Sequence, residues 1–369
     1  MLVTIIAFVI ILSVLVLIHE LGHFLVAKKF GIKVEEFGVG FPPRAISKKI
    51  GETVYSINWL PVGGFVKLYG EDAAGGGKVG KQGNVDGGQE TDIKRAFYAR
   101  PLWQRMLVVT SGVIMNFILA IVLISFLFGT QGVPLPSENV IVTEVSNNSP
   151  AALAGIKKDD EVLKINDVPV KDTAAFIKTT QENKGRKVTL LLKRGDQEFT
   201  TSLTPRLVVP KGEGAMGVGI TNIVVKKYTW YEAPIYGTIE AAKFSWMILG
   251  GLGSMVHDVF TGNVKQESVA GPIGVAQLTG EAVRAGWFAV LWFVALLSLN
   301  LAVLNIMPIP ALDGGRFFFM IIEMVTRRKV SSRYEAYAHG VGLVLLLGLM
   351  LLITLVDVSR LIQGKSILP

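Results

Sequence analysis

Leu17-Ile18-His19-Glu20-Leu21-Gly22-His23-Phe24 sets two histidines four residues apart, with a glutamate beside the first, at the end of a long apolar run. Residues 2–18 carry no charge, and at ~1.5 Å of rise per helical residue they nearly cross a bilayer core. Positions i and i+4 share one face of a helix, so His19 and His23 present two imidazoles to a single tetrahedral zinc. Glu20 stands next to the first of them, where a carboxylate serves as general base toward an attacking water. Polar groups at membrane depth are costly and are retained for function, which sets this motif apart from a chance spacing.

The composition is that of a membrane protein. Half of the 369 residues are hydrophobic and only 18% are charged, and the mean hydropathy is +0.48, more apolar than an ordinary soluble domain. The first apolar segment lacks a basic leader and a small-residue cleavage site, so it reads as a span and not as a removed signal peptide. Further apolar runs at 107–128, 287–307 and 340–356 bring the expected crossings to four. The net charge of +8 does not point to nucleic acid, because no basic helix or stacking platform accompanies it. Much of it flanks the spans instead: Lys28, Lys29, Lys33, Arg44, Lys48 and Lys49 in one cluster, Arg316, Arg327, Arg328, Lys329 and Arg333 in another. The positive-inside rule makes both clusters cytoplasmic and predicts an external N-terminus, with the zinc motif toward the cytoplasmic side. With no cysteine in the chain, disulfides and thiol chemistry are excluded.

After the zinc helix, residues 54–59 alternate Tyr55, Ile57 and Trp59 with Ser56 and Asn58, the period of a strand. A Pro-Gly turn follows, and Phe65, Val66, Lys67 and Leu68 return as a second strand. The expectation is a membrane-associated β-hairpin. It is either a structural element dipping into the bilayer or an exposed edge that pairs with a substrate strand, and the two roles are compatible. Residues 70–93 are Gly-rich and polar and read as a mobile linker. Arg105, at the start of the second span, is expected to snorkel to the interface. Within that span Gly112 and Asn116 share a face, a pattern of close helix packing that also leaves Asn116 open to a cavity role.

Residues 138–222 form the soluble-looking segment, external by topology. Val140-Ile141-Val142, Ser149-Pro150-Ala151, Ala154-Gly155-Ile156 and Val162-Leu163-Lys164-Ile165-Asn166 follow one another in the order of a bacterial-type PDZ domain, which this stretch resembles. That likeness implies capture of an extended peptide or chain terminus by strand addition; a purely steric screen is the alternative. Residues 228–280 are expected to lie in the membrane interface as an amphipathic helix followed by a turn at Gly271-Pro272. His257 falls outside by topology, away from the metal.

A catalytic zinc needs three protein ligands and one open position. In Asn305-Ile306-Met307-Pro308-Ile309-Pro310-Ala311-Leu312-Asp313-Gly314-Gly315, two prolines break the helix at membrane depth, where irregular backbone is tolerated only around a cavity or inside protein. Asp313 follows the break and is the favoured third ligand. His339 is the alternative, while Glu323 belongs to an amphipathic stretch at the polar boundary.

At this point the chain resembles the site-2 protease family of intramembrane zinc metalloproteases, of the bacterial regulator-of-sigma-E type. The likeness rests on residues 19–23, Phe37-Gly38-Val39-Gly40-Phe41-Pro42-Pro43, Gly112 with Asn116, the PDZ-like segment, and residues 305–315. It implies His19, His23 and Asp313 as zinc ligands, Glu20 as base, and Asn305 as the residue that holds the substrate backbone or the oxyanion. One PDZ-like segment is visible here, where some enterobacterial members carry two.

The expected architecture is therefore a polytopic α-helical membrane protein with four transmembrane helices, a membrane-associated β-hairpin and an external PDZ-like α+β domain. Its parts are 1–130 (two spans, zinc motif and hairpin), 138–222 (PDZ-like), 228–280 (interfacial) and 285–369 (two spans with the third ligand). The expected function is zinc-dependent peptide-bond hydrolysis, one zinc per chain, in or near the transmembrane segments of single-span membrane proteins. The setting is the bacterial inner membrane, and the resemblance suggests anti-sigma factors or signal-peptide remnants as substrates. A non-enzymatic scaffold with structural zinc is disfavoured by an intact Glu20 beside a three-ligand site, and a transporter by the lack of an internal repeat.

Overall fold

The computed structural model describes residues 2–71, 93–261 and 271–363. The linker expected at 70–93 falls almost wholly outside them. Two compact units emerge, Met1–Leu127 with Thr229–Pro369, and Phe128–Tyr228.

The first unit holds four helices long and apolar enough to cross a membrane. In chain order these are α1 (Leu2–Lys29), α2 (Leu102–Thr130), α7 (Trp287–Ile306) and the bulk of α9 (Ser332–Ile362). Their burial is inverted relative to a soluble bundle. Leu2, Val3, Ile10, Ile118, Val122, Leu345 and Leu351 are exposed, whereas His19, His23, Ser111, Asn116 and Ser298 are buried. With lipid outside, apolar side chains lose nothing by facing outward, and polar groups gather where they find partners. Ser298 Oγ, for example, donates to the Asn116 carbonyl 2.7 Å away, joining α7 to α2. Arg105 departs from the snorkelling expectation. It is buried and pairs at 2.7 Å with Glu323 of α8 (Asp313–Thr326), because a partner within reach removes the reason to seek water.

The sheet of this unit corrects the expected hairpin. β1 (Val34–Ile50) and β2 (Thr53–Leu68) both bend sharply, so each contributes two arms. Val34–Val39 pairs antiparallel with Gly64–Leu68, from Val34↔Leu68 to Val39↔Gly64. On its other side it meets Val54–Ile57 with both numbers rising together, Glu36↔Val54 to Val39↔Ile57. Residues 44–50 complete the order through Arg44↔Asn58 and Ile50↔Thr53. Residues 54–59 and 65–68 are thus not partners; the segment around Gly38 and Gly40 lies between them. Two glycines hide that strand from a propensity reading, yet both are needed. A Cβ at Gly38 would strike the Phe65 ring, and Gly40 sits at φ 78° against the Leu60 carbonyl. The turn at Pro61 reaches deep: its carbonyl accepts from Ser13 Oγ at 2.8 Å, about 9 Å up the helix from His19. Phe41, Ile46, Ile57, Trp59, Leu60 and Val62 are exposed, an apolar surface suited to lipid.

Residues 228–280 hold more regular structure than expected. α5 (Ala233–Thr261) packs Gly237 against Ser125 and Phe244 against Trp292. Of the turn expected around Gly271-Pro272, residues 268–270 lie outside the described residues, and Gly271 caps the start of α6 (Pro272–Ala285). This helix packs Gly280 against Thr4, and its Gly274 N–H donates to Asp357 Oδ2 at 3.0 Å. Its mixed composition carries no clear period, so its helicity rests on these tertiary contacts.

The second unit is a sheet of order β7-β6-β4-β3-β8, with β5 paired to β4. The strands are β3 (Val133–Val145), β4 (Glu161–Ile165), β5 (Val168–Pro169), β6 (Val188–Arg194), β7 (Gln197–Leu203) and β8 (Val218–Lys226). Its core gathers Val140, Val162, Ile165, Leu190, Leu192 and Met216 around Phe176 of α4 (Thr173–Glu182). Ser149 caps the short α3 (Pro150–Leu153) by accepting from Ala152 N–H. Burial alone would raise the Asp160 carboxyl, but the two-pronged Arg194 contact at 2.6 and 2.8 Å and the Lys157 N–H hold it below its usual range.

Candidate active site

α1 carries His19 and His23 one turn apart, and α8 begins at Asp313. The three side chains converge: His19 Nε2 lies 2.8 Å and His23 Nε2 3.2 Å from Asp313 Oδ2, and the two Nε2 atoms are 3.1 Å apart. These separations are close to the ~3.3 Å edge of a tetrahedron with zinc–ligand bonds near 2.0–2.1 Å.

The surrounding hydrogen bonds test whether these atoms suit a cation. His23 Nδ1 is 2.7 Å from the Val108 carbonyl, which can only accept, so the proton sits on Nδ1 and Nε2 keeps its lone pair. His19 Nδ1 faces the Asn116 amide at 3.5 Å, and Asn116 Oδ1 is buried with no partner among the described residues. Turning the amide over lets Oδ1 accept from Nδ1–H, which fixes the second Nε2 as a lone-pair donor. Two imidazole lone pairs and a carboxylate then point at one spot, an arrangement that repels itself without a positive charge. The residues fit a zinc ion.

Close approach of α2 makes this possible. A Cβ on Gly22 would collide with the Ser111 carbonyl, and one on Gly112 would meet His23 Nε2 and lie 2.7 Å from His19 Nε2. Gly112 and Asn116 therefore both border the three clustered donors, Gly112 by leaving space for the imidazoles and Asn116 by facing His19 Nδ1. Glu20 and His23 line a cavity of about 180 Å³ together with Val66, Leu68, Glu71, Asp313 and Arg316. Glu20 Oε2 accepts from the Val66 N–H at 3.0 Å, so the edge arm of the sheet lies directly against it. Arg316, one turn after Asp313, pairs with Glu71. Neither residue stands out in the sequence, and only the fold brings them here.

Asn305 and His339 fall elsewhere. Asn305 lines a separate, mostly apolar cavity of about 840 Å³ with Leu304, Ile309, Pro310, Leu312 and Tyr337. His339 accepts from the Ala311 N–H at 2.9 Å and is not among the three clustered donors.

Three converging donors that suit a cation, beside a carboxylate and among helices long enough to span a membrane, are what a membrane-embedded metallopeptidase requires. The chain matches the model of Peptidase family M50 over residues 7–349, and it belongs to that family and is a zinc metalloprotease. The regulator of sigma-W protease RasP of Bacillus subtilis is 31% identical, covering 97% of this chain and 99% of the relative. A Clostridium perfringens protein whose name assigns it provisionally as a zinc metalloprotease is 37% identical over 94% and 96%. Among solved structures, the PDZ domain of an SdrC-like protein from Listeria monocytogenes matches at 24% identity over 24% of this chain and 93% of its own, with a TM-score of 0.21.

Proposed function

We propose that this protease cuts peptide bonds in or next to the transmembrane segments of single-span membrane proteins, in the bacterial inner membrane, with one zinc per chain. The single observation that carries the reading is the contact between Glu20 and the edge arm Gly64–Leu68 inside the membrane unit. His19, His23 and Asp313 hold the metal. Zinc, when bound, supplies a Lewis acid that brings the pKa of water to ~7 and steadies a developing oxyanion.

The chain's own residues do the rest. A substrate helix hides its carbonyls in internal hydrogen bonds, and unwinding it in lipid costs several kcal/mol for each unpaired group. An arm whose outer edge is unpaired within the sheet replaces those bonds by strand addition. Pairing there moves the Val66 N–H from Glu20 to a substrate carbonyl, which frees the Glu20 carboxylate to take a proton from the attacking water and return it to the leaving amine. Asn305, in the second cavity, is assigned to holding substrate backbone.

In the proposed orientation the N-terminus and the PDZ-like unit are external and the zinc site faces the cytoplasmic half. The PDZ-like unit binds a peptide or chain terminus or screens substrates by size. Anti-sigma factors and signal-peptide remnants are the proposed substrates, a reading favoured by the sigma-W regulator among the relatives.

The decisive experiment compares wild type with Glu20→Gln on a single-span substrate in detergent. The variant should keep zinc and its fold and lose cleavage by several orders of magnitude. Wild-type turnover in Glu20→Gln would sink the mechanism.

A further inference from the structure

Asp313 is delivered by a segment with little regular structure of its own. Between the end of α7 at Ile306 and the start of α8, the backbone is held by short local bonds, Ile309 N–H to Met307 O at 2.7 Å and Leu312 N–H to Ile309 O at 3.2 Å. Ala311, two residues before the ligand, sits at φ 81°, a left-handed conformation that a residue with a Cβ adopts reluctantly. Something outside the segment has to keep it there.

α9 does so with one face. His339 Nδ1 accepts the Ala311 N–H at 2.9 Å. Three residues on, on the same face, Gly342 makes room for Pro310, because a Cβ there would lie 2.5 Å from both Pro310 Cβ and its carbonyl oxygen. Phe319 of α8 lies against the imidazole, with ring centroids 5.9 Å apart. An imidazole accepting at Nδ1 is neutral and carries its proton on Nε2.

We propose that His339 is a positioning residue of the metal site. By holding the Ala311 turn it fixes where α8 begins, and so keeps the Asp313 carboxylate against His19 and His23. The inference rests on the zinc reading given above and adds to it a residue that touches neither metal nor substrate.

The test uses full-length protein in detergent, loaded with zinc or with cobalt(II), and follows metal loss to a chelator, the cobalt absorption spectrum and the thermal melt. His339→Ala should hold metal about 10- to 100-fold more weakly, as loss of an outer-shell partner does, with an altered cobalt spectrum. Its kcat should fall together with metal retention. His339→Asn, whose amide oxygen stands near the place of Nδ1, should restore retention and spectrum; His339→Gln, with its oxygen one bond further out, should not. Wild-type retention and spectrum in a folded His339→Ala would overturn the proposal, and so would His339→Asn proving as defective as His339→Ala. Where His339→Ala loses its cooperative melt, His339→Asn decides: metal kept supports the role, metal lost refutes it. His23→Ala runs alongside. If it too keeps its metal, the zinc-site reading fails, an outcome distinct from failure of the positioning role.

Discussion

His19 and His23 ride on a 28-residue helix whose hydrogen bonds are internal, whereas Asp313 stands at the end of a break that spans residues 307–312 and is pinned by another helix. The helix sets the spacing of its two proposed ligands by its own geometry and needs neighbours only to leave room. The break contributes one ligand and depends on Pro310, Ala311, His339 and Gly342 for its shape. The spacing within one half of the proposed metal site is therefore internal to α1, while the other half inherits every shift of α9.

Glycine-to-alanine substitutions on the two sides sharpen this contrast and carry the largest expected effect. A methyl at Gly112 meets both imidazoles, and His23 cannot swing away without losing its bond to the Val108 carbonyl. Gly112→Ala should displace two ligands together, with metal affinity and cleavage falling by 100-fold or more, at the upper end for outer-shell damage. Gly314→Ala, whose methyl would meet the backbone of Ile306 and Met307, moves only the aspartate side and should cost less. Zinc content after dialysis and cleavage rate measure both. Equal losses would break the asymmetry.

The same asymmetry governs what was legible in the sequence. His19, Glu20 and His23 are readable because the 3.6-residue period places them without tertiary help. Asp313 was accessible through the Pro308 and Pro310 break, a strong local signal. His339 was noticed only as a rival ligand, since a histidine's partner is set by packing. The middle strand around Gly38 and Gly40 was missed as a strand, because its glycines serve close approaches to Phe65 and Leu60 that no local pattern encodes. α6 is hard to read in the sequence for a related reason: its first turn is held by Asp357, 83 residues from Gly274. Arg316 counts in the sequence only as one of the basic residues flanking the spans, and Glu71 carries no signal, until the fold sets the pair beside the candidate site.

The edge arm gives an intermediate effect. Val66 offers its N–H on the side facing Glu20, so Val66→Pro removes a donor that substrate would use, without touching a metal ligand. Cleavage should fall most for substrates with stable helices and least for those with Gly or Pro near the scissile bond, while zinc content is unchanged. An equal fall across a substrate series would mean general misfolding, and no fall would reduce the sheet to an anchor. Either result would leave the helix and the break as the whole of the catalytic architecture.

The smallest effect should come from the ion cluster at the Lys28 end of α1. Glu52, in the turn between β1 and β2, takes Lys28 at 2.9 Å and Arg95 at 2.7 Å. These partners, Arg95 foremost, hold its carboxyl down to about 2, from an ordinary value of 4.5. A depressed carboxylate stabilises the fold fully above its unfolded pKa, and that contribution is lost as pH falls from about 4.5 toward 2. Glu52→Gln should lower the melting temperature slightly at pH 7, by the equivalent of ~1 kcal/mol or less for a partly exposed cluster. Its stability relative to wild type should converge as the pH drops through that window. Zinc retention should not change, because the spacing of His19 and His23 is internal to α1. If Glu52→Gln instead released zinc, α1 would depend on outside clamps as the Asp313 segment does on His339, and the contrast between the two halves of the site would vanish.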